Sequence, residues 1–387
     1  MSSQPEKFVF LVHPLNMVDV VRYEPKAAGR SEGLVYKIFE WMPSNICAHV
    51  TGIESKTGVT AEGWFSMVPY LPRQFVTFSR ELVYGKIVDA CKLGQERGAK
   101  IVGLGGYTSV VGDAGVTIAE RVPGLAVTSG NSYTIATALQ GALEAARRLG
   151  TELESSKVAV VGASGAIGSV CARIMARSVR DLALVARNKI RLQRIAETIQ
   201  QETGKICTLH TEVSEGVHDA DIVITATSST GNIITANDLK PGALVCDVSL
   251  PHDVCREVAT QRPDVLVIEG GLADIPGNVD FDFDFGYPPG VALACMAETI
   301  ILTLEGRFEN FSLGRGIAIE QVEEITRMAA RHGVKLAGFR SFDKMVTDDD
   351  IAAIRERARS RRKGAFMARP MQHLATASRE VVREGAM

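Results

Sequence analysis

The sequence predicts an α/β protein: a Rossmann-like doubly wound parallel sheet with an N-terminal α/β domain and C-terminal helices. Three observations predict it. Short apolar runs alternate with helical segments between residues 157 and 269. The first of these runs leads into a glycine turn that opens a helix. With 387 residues, 46% hydrophobic and 23% charged, the chain has enough apolar material for two cores and is not a disordered polymer.

The first run, FVFLV, is a buried-strand candidate that His13-Pro14 ends. Residues 81–97 read as a helix, Lys100–Gly106 as a strand entering a glycine turn, and 122–128 as another short strand. Ser129-Gly130-Asn131-Ser132 then precedes a long helix, for which Gly150 is a natural stop. In the next unit Lys157–Val161, Asp181–Ala186, Ala220–Thr225, Ala243–Asp247 and Val265–Glu269 read as five strands, with helices over Ser169–Ser178 and Lys189–Glu202. Helices return from about Pro289 and over 317–332. The run Thr347-Asp348-Asp349-Asp350 has the form of an N-cap and acidic first turn. The expected organisation is an N-terminal α/β domain with its connecting helix (1–149), a nucleotide-binding domain (150–300), C-terminal helices (301–346) and a basic extension (347–387).

Charge and composition exclude several classes. A formal charge of -2 provides no global basic field for nucleic acid. No apolar run reaches the length of a transmembrane segment, and the start has no signal-peptide cleavage pattern. The seven cysteines form no CxxC pair, which fits a reduced, cytoplasmic protein. The seven histidines show no metal-ligand spacing, so no metal is expected.

In the glycine turn, Gly162 permits the tight bend, Gly165 lets backbone approach a pyrophosphate, and Gly168 permits close helix packing. The amides of Ser164, Ala166 and Ile167 complete a phosphate cradle. The second strand ends in Ala186-Arg187-Asn188, without the acid that grips the ribose of NAD. Arg187 suits a 2′-phosphate and Asn188 adds a donor, so NADPH is the expected cofactor. Thr227 ends a further strand and is expected on the ribose or nicotinamide side. Gly270 follows Glu269 and would allow close cofactor approach. Each of these also has a purely structural reading, as a strand exit or cap.

Cys295 lies in an apolar helix, where most cysteines are core filler. An accessible position at the helix start would instead make it a nucleophile able to carry an acyl group. His13, Tyr107, Ser109, Gly130, Asn131 and Ser132 sit at strand ends and are candidate substrate or oxyanion contacts. Turn formation and capping are their alternative roles. The alternating Asp/Phe segment 280–285 reads either as a loop that holds the cysteine helix or as an edge strand with an acidic face. The basic extension reads as a solvated helix or as a dock for an acidic or phosphate-bearing carrier.

Over roughly residues 8–340 the chain resembles the long-chain acyl-[acyl-carrier-protein] reductases of cyanobacteria. The segments that carry the resemblance are GLGGYTS (103–109), TSGNSYTIA (128–136), VAVVGASGAIGS (158–169) followed by Cys171, VARN (185–188) and ACMAETIILTLEGRFENFSLGRG (294–316). The dinucleotide loop alone is shared with shikimate dehydrogenase-like proteins. The resemblance implies NADPH-dependent reduction of a fatty acyl thioester to a fatty aldehyde, with the acyl-enzyme on Cys295 and the substrate in the N-terminal domain. It implies a fatty acyl carrier protein or acyl-CoA as partner, an aldehyde-consuming enzyme downstream, a homo-oligomer, and stimulation by Mg2+. The chain departs from the family at Asp247–His252, at YPPG (287–290) and in its extension. Two other readings stay open: an NADP-dependent shikimate-like or amino-acid dehydrogenase without a covalent intermediate, and a non-enzymatic NADPH-binding docking protein.

Overall fold

The computed structural model describes residues 4–229, 231–342 and 344–363. Two six-stranded sheets organise the chain. The first contains β1 (Glu6–Val12), β2 (Asn45–Glu54), β3 (Thr60–Met67), β4 (Ile101–Leu104) and β5 (Ala126–Thr128). The second contains β6 (Lys157–Val161), β7 (Asp181–Val185), β8 (Thr208–His210), β9 (Ile222–Thr225), β10 (Leu244–Asp247) and β11 (Leu266–Glu269). Its order, β8-β7-β6-β9-β10-β11, is that of a dinucleotide-binding fold, and every pair in it is parallel. The expected fold class is therefore borne out.

Four consecutive residues of β6, Val158–Val161, are buried, because helices cover both faces of this sheet. That is why the strand shows no alternation in sequence. β8 went unread for the opposite reason. It is a polar, largely exposed edge strand, and it carries no apolar run.

The principal helices are α1 (Arg80–Gln95), α2 (Asn131–Leu149), α3 (Ala166–Met175), α4 (Lys189–Thr203), α5 (Ala294–Leu304) and α6 (Ile319–His332). Gly150 adopts φ 72° and ends α2, as its place in the sequence predicts. α2 packs on α3 and β10 on one side and on α5 and α6 on the other. A single apolar cluster runs from Phe8 and Phe10 of the first sheet through α2 to Val158 and Val160 of the second.

After β11 the chain turns back. β12 (Leu272–Asp274) and β14 (Val291–Leu293) pair antiparallel, while β13 (Gly277–Asp280) joins the edge of the first sheet beside β2. Residues 277–280, placed by sequence in the nucleotide-binding unit, thus belong to the first sheet. The Asp/Phe segment is strand only as far as Asp280. Beyond it Phe281, Phe283 and Phe285 close on Phe65, with ring centroids 6.1, 6.0 and 5.0 Å away. α5 then packs on β1 and β4 as well as on α2.

The basic extension begins as a helix over 348–363 that buries Ile351 and Ala358. It lies at the edge where the parallel strands begin. Arg361 reaches Asp264 at 2.9 Å, and Arg362 reaches the carbonyl of Pro241 at 3.1 Å. The carrier dock read from the extension falls largely on 364–387, outside the described residues. Asp264 also holds buried Arg262 in a two-bond fork of 3.0 and 2.9 Å. Asp264→Ala would leave that guanidinium without its counter-charge, held by the Ala236 and Leu239 carbonyls alone. It is expected to lower stability by about 3–5 kcal/mol in equilibrium unfolding.

Candidate functional site

The glycine turn leaves the end of β6 with Gly162 at φ +82°. A Cβ there would fall 2.2 Å from the Ala226 carbonyl oxygen, so only glycine fits. A Cβ at Gly168 would fall 2.3 Å from the Gly162 oxygen, which seats the start of α3 on the turn. Around Gly165 the nearest atom to such a Cβ is 3.2 Å away, and the turn is half-exposed there. The first helix bond after the turn runs from Ser169 N–H to the Gly165 oxygen at 3.1 Å. The amides of Ala166, Ile167 and Gly168 precede it and suit an anion. Ser164 lies half-buried within the turn.

Arg187 stands exposed past the end of β7 and makes no ion pair among the described residues. Asn188 has a second use. Its Oδ1 accepts from Arg191 N–H at 3.0 Å and caps α4. Thr227 belongs to a buried network that the sequence reading missed. Its hydroxyl, with those of Thr225 and Ser249, donates to Asp253 at 2.6, 2.5 and 2.5 Å. Burial pushes the Asp253 carboxyl up, against those three bonds. Asp247 holds the same loop by accepting from Ser249 N–H and Val254 N–H, both at 3.0 Å. Two aspartates bracketing the proline in Asp247-Val248-Ser249-Leu250-Pro251-His252-Asp253 were the available signal. The small size of Gly270 is used in packing: a Cβ there would fall 2.8 Å from Cys246 Sγ.

Cys295 lies in the first turn of α5 and is partly exposed. α5 starts where Ala294 N–H donates to the Gly271 oxygen at 2.7 Å. A Cβ on Gly130 would lie 2.3 Å from both Cα and Cβ of Cys295. The start of α2 is therefore pressed directly against the cysteine. Burial pushes the thiol up to about 12, and the Glu298 carboxylate adds to the rise, while the Met296 N–H opposes it.

The wall facing Cys295 is braced from below. Ser129 donates to the Ser312 carbonyl. Ser132 N–H reaches the Ser312 hydroxyl at 3.2 Å, and that hydroxyl donates to Ser132 Oγ at 2.6 Å. The Gly130 N–H is spent on Thr128 Oγ1 at 3.2 Å. Of the amides proposed as oxyanion donors, the Asn131 N–H is left without an acceptor among the described residues.

A cavity of about 350 Å³ opens beside Cys295, lined by its neighbours Leu293 and Met296 and by Phe283, Phe285, Leu250 and His13. His13 is a wall residue rather than a proton donor. Its Nε2 accepts from Tyr107 N–H at 2.9 Å, and its Nδ1 faces the Pro14 oxygen at 3.1 Å. Burial lowers it to about 4, so it stays neutral. Tyr107 is buried, its ring centroid 5.9 Å from that of His13. Ser109 donates to the Gly106 oxygen at 2.7 Å and closes the turn. No group of three or more His, Cys, Asp or Glu among the described residues is arranged to hold a metal.

A shikimate / quinate 5-dehydrogenase domain model matches residues 144–269, the second sheet and its glycine turn. The aminotransferase PigE of Serratia sp. is 30% identical over 357 residues, covering 88% of this chain. The chain spans only 41% of the length of that relative. A long-chain acyl-[acyl-carrier-protein] reductase of Synechococcus elongatus is 29% identical over 305 residues, covering 75% of this chain and 87% of its own length. The crystal structure of L-tryptophan dehydrogenase from Nostoc punctiforme is similar at 16% identity and a TM-score of 0.36, covering 93% and 90% of the two chains. By the domain model and the reductase relative, the second sheet and its turn are of the NAD(P)-dependent dehydrogenase and reductase class. Gly162→Ala is expected to weaken nicotinamide-cofactor binding at least 10-fold, about 1.4 kcal/mol, in a fluorescence titration, because the turn must open to clear Ala226.

Proposed function

We propose that this chain reduces a fatty acyl thioester to a fatty aldehyde with NADPH, through an acyl-enzyme on Cys295. The observation that carries the reading is the placement of that thiol. It stands at a helix start, against Gly130, between two residues that line an apolar cavity. The similarity to the acyl-[acyl-carrier-protein] reductase, which covers 75% of this chain, supports it.

The thiol loses its proton and its sulfur bonds to the acyl carbon. The carrier sulfur leaves and takes up a proton, which balances the first half. NADPH, when bound, supplies the hydride that the acyl group needs to become an aldehyde. Breaking the carbon–sulfur bond then releases the aldehyde and leaves the Cys295 thiolate, which takes up a proton from water to return to the thiol. In this reading the Asn131 N–H, which has no acceptor among the described residues, is the donor for negative charge on the carbonyl oxygen, and the Met296 N–H favours the thiolate. The cavity, with its largely apolar lining, receives the acyl chain. The glycine turn holds the pyrophosphate and Arg187 the 2′-phosphate. An acyl carrier protein or coenzyme A brings the substrate, and an aldehyde-consuming enzyme takes the product. The substrate domain comprises 1–149 with the returning segments after β11.

Three outcomes test this reading. Cys295→Ala is expected to abolish aldehyde formation from a long-chain acyl-CoA, followed by NADPH oxidation and aldehyde trapping. Full activity in that variant would overturn the mechanism. Arg187→Ala is expected to raise the Kd for NADPH about 10-fold while leaving that for NADH unchanged, since one charged hydrogen-bonding partner of the phosphate is lost. Equal loss for both cofactors would remove Arg187 from the phosphate site. Because the resting thiol titrates near 12, alkylation of Cys295 in the free protein should rise with pH without a plateau below about pH 10.

A further inference from the structure

We propose that Glu298 is the positioning residue of the Cys295 centre: it holds the wall formed by residues 128–133 against the cysteine, and its charge governs the reactivity of the thiol. The inference rests on the reading of Cys295 as the nucleophile.

Glu298 is fully buried, one turn of α5 beyond Cys295 on the same helix face. Its oxygens accept from Thr128 Oγ1 at 2.5 Å and from Tyr133 N–H at 2.7 Å. Burial pushes its carboxyl up, and these two bonds oppose the rise. No cation pairs with it among the described residues. A buried carboxylate without a counter-charge is costly and persists where donors converge on it. The donors here are the segment that packs on Cys295. Gly130, with no side chain, brings that segment within contact of the cysteine Cα. One carboxylate therefore fixes the start of α2 and places negative charge near the thiol.

Other titratable groups on the surrounding elements do not supply that charge. α2 contributes Tyr133, whose phenol burial keeps protonated. The exit of β1 contributes His13, which burial keeps neutral. β12 contributes Asp274, which is exposed. From α6, His332 pairs with Glu305 at 2.7 Å, two turns further along α5.

The test is the rate of Cys295 alkylation by iodoacetamide, resolved by peptide mass mapping, between about pH 5 and pH 10. Wild type, Glu298→Gln and Thr128→Val are compared as full chains, with circular dichroism and thermal melting as fold controls. Removing the charge in Glu298→Gln should speed alkylation about 10-fold at alkaline pH, the effect of a one-unit fall in the thiol pKa. Thr128→Val deprives the carboxylate of one donor. It should protonate Glu298 at higher pH and give a smaller increase at the acid end of the profile. A purely structural glutamate would lower the melting temperature and leave the rates unchanged. Superimposable profiles in folded variants overturn the proposal, and Thr128→Val decides alone if Glu298→Gln does not fold. Alkylation uses no acyl thioester. A faster variant without any acyl adduct on wild-type Cys295 would therefore keep the positioning role and remove the reductase reading.

Discussion

The contact between Gly130 and Cys295 is the constraint on which the centre depends. Two helices, α2 and α5, begin within van der Waals reach of each other, and a single methyl group at position 130 would separate them. That closeness brings the start of α2 against the thiol at the start of α5. It also explains the buried polar network beneath. Backbone brought so near to a helix start has donors to satisfy, and Thr128, Ser132, Ser312 and Glu298 satisfy them. The bracing leaves few donors for a substrate.

The sheets explain why the centre lies where it does. Every strand of the second sheet points its C-terminal end the same way, so the glycine turn after β6, Arg187 after β7, Thr227 after β9 and the Asp247–Asp253 loop after β10 share one edge. Leu250 of that loop lines the largely apolar cavity, whose other residues come from the first sheet, the helical segments between β1 and β2, the returning phenylalanine segment, β14 and α5. The cavity thus lies between nucleotide-binding edge and cysteine helix. Parallel topology puts the glycine turn and the loop that reaches this cavity on the same edge of the sheet.

Much of this was legible in the sequence. The apolar runs of β6, β7, β9, β10 and β11 betrayed a buried parallel sheet, and the glycines at 162 and 168 stand where steric contact demands them. What was hidden has a common physical cause. Glu298 reads as one charged residue in an apolar helix, because its partners Thr128 and Tyr133 lie 170 and 165 positions away. Asp253 gathers hydroxyls from 4 to 28 positions away. β8 and β13 are edge strands whose solvated faces carry no hydrophobic period. Asn188, Gly130 and Gly270 look in sequence like ligand contacts, yet the first caps a helix, the second spends its amide on Thr128, and the third makes room for Cys246. Sequence pattern locates such residues at strand ends but does not reveal which of their groups are already used.

The most direct measurement is the intact mass of the protein after incubation with a long-chain acyl thioester, in wild type and Cys295→Ala, before and after NADPH is added. The account predicts an acyl adduct on wild type alone, discharged by NADPH with release of the aldehyde. Aldehyde formed without an adduct, or an adduct that persists in Cys295→Ala, would contradict it.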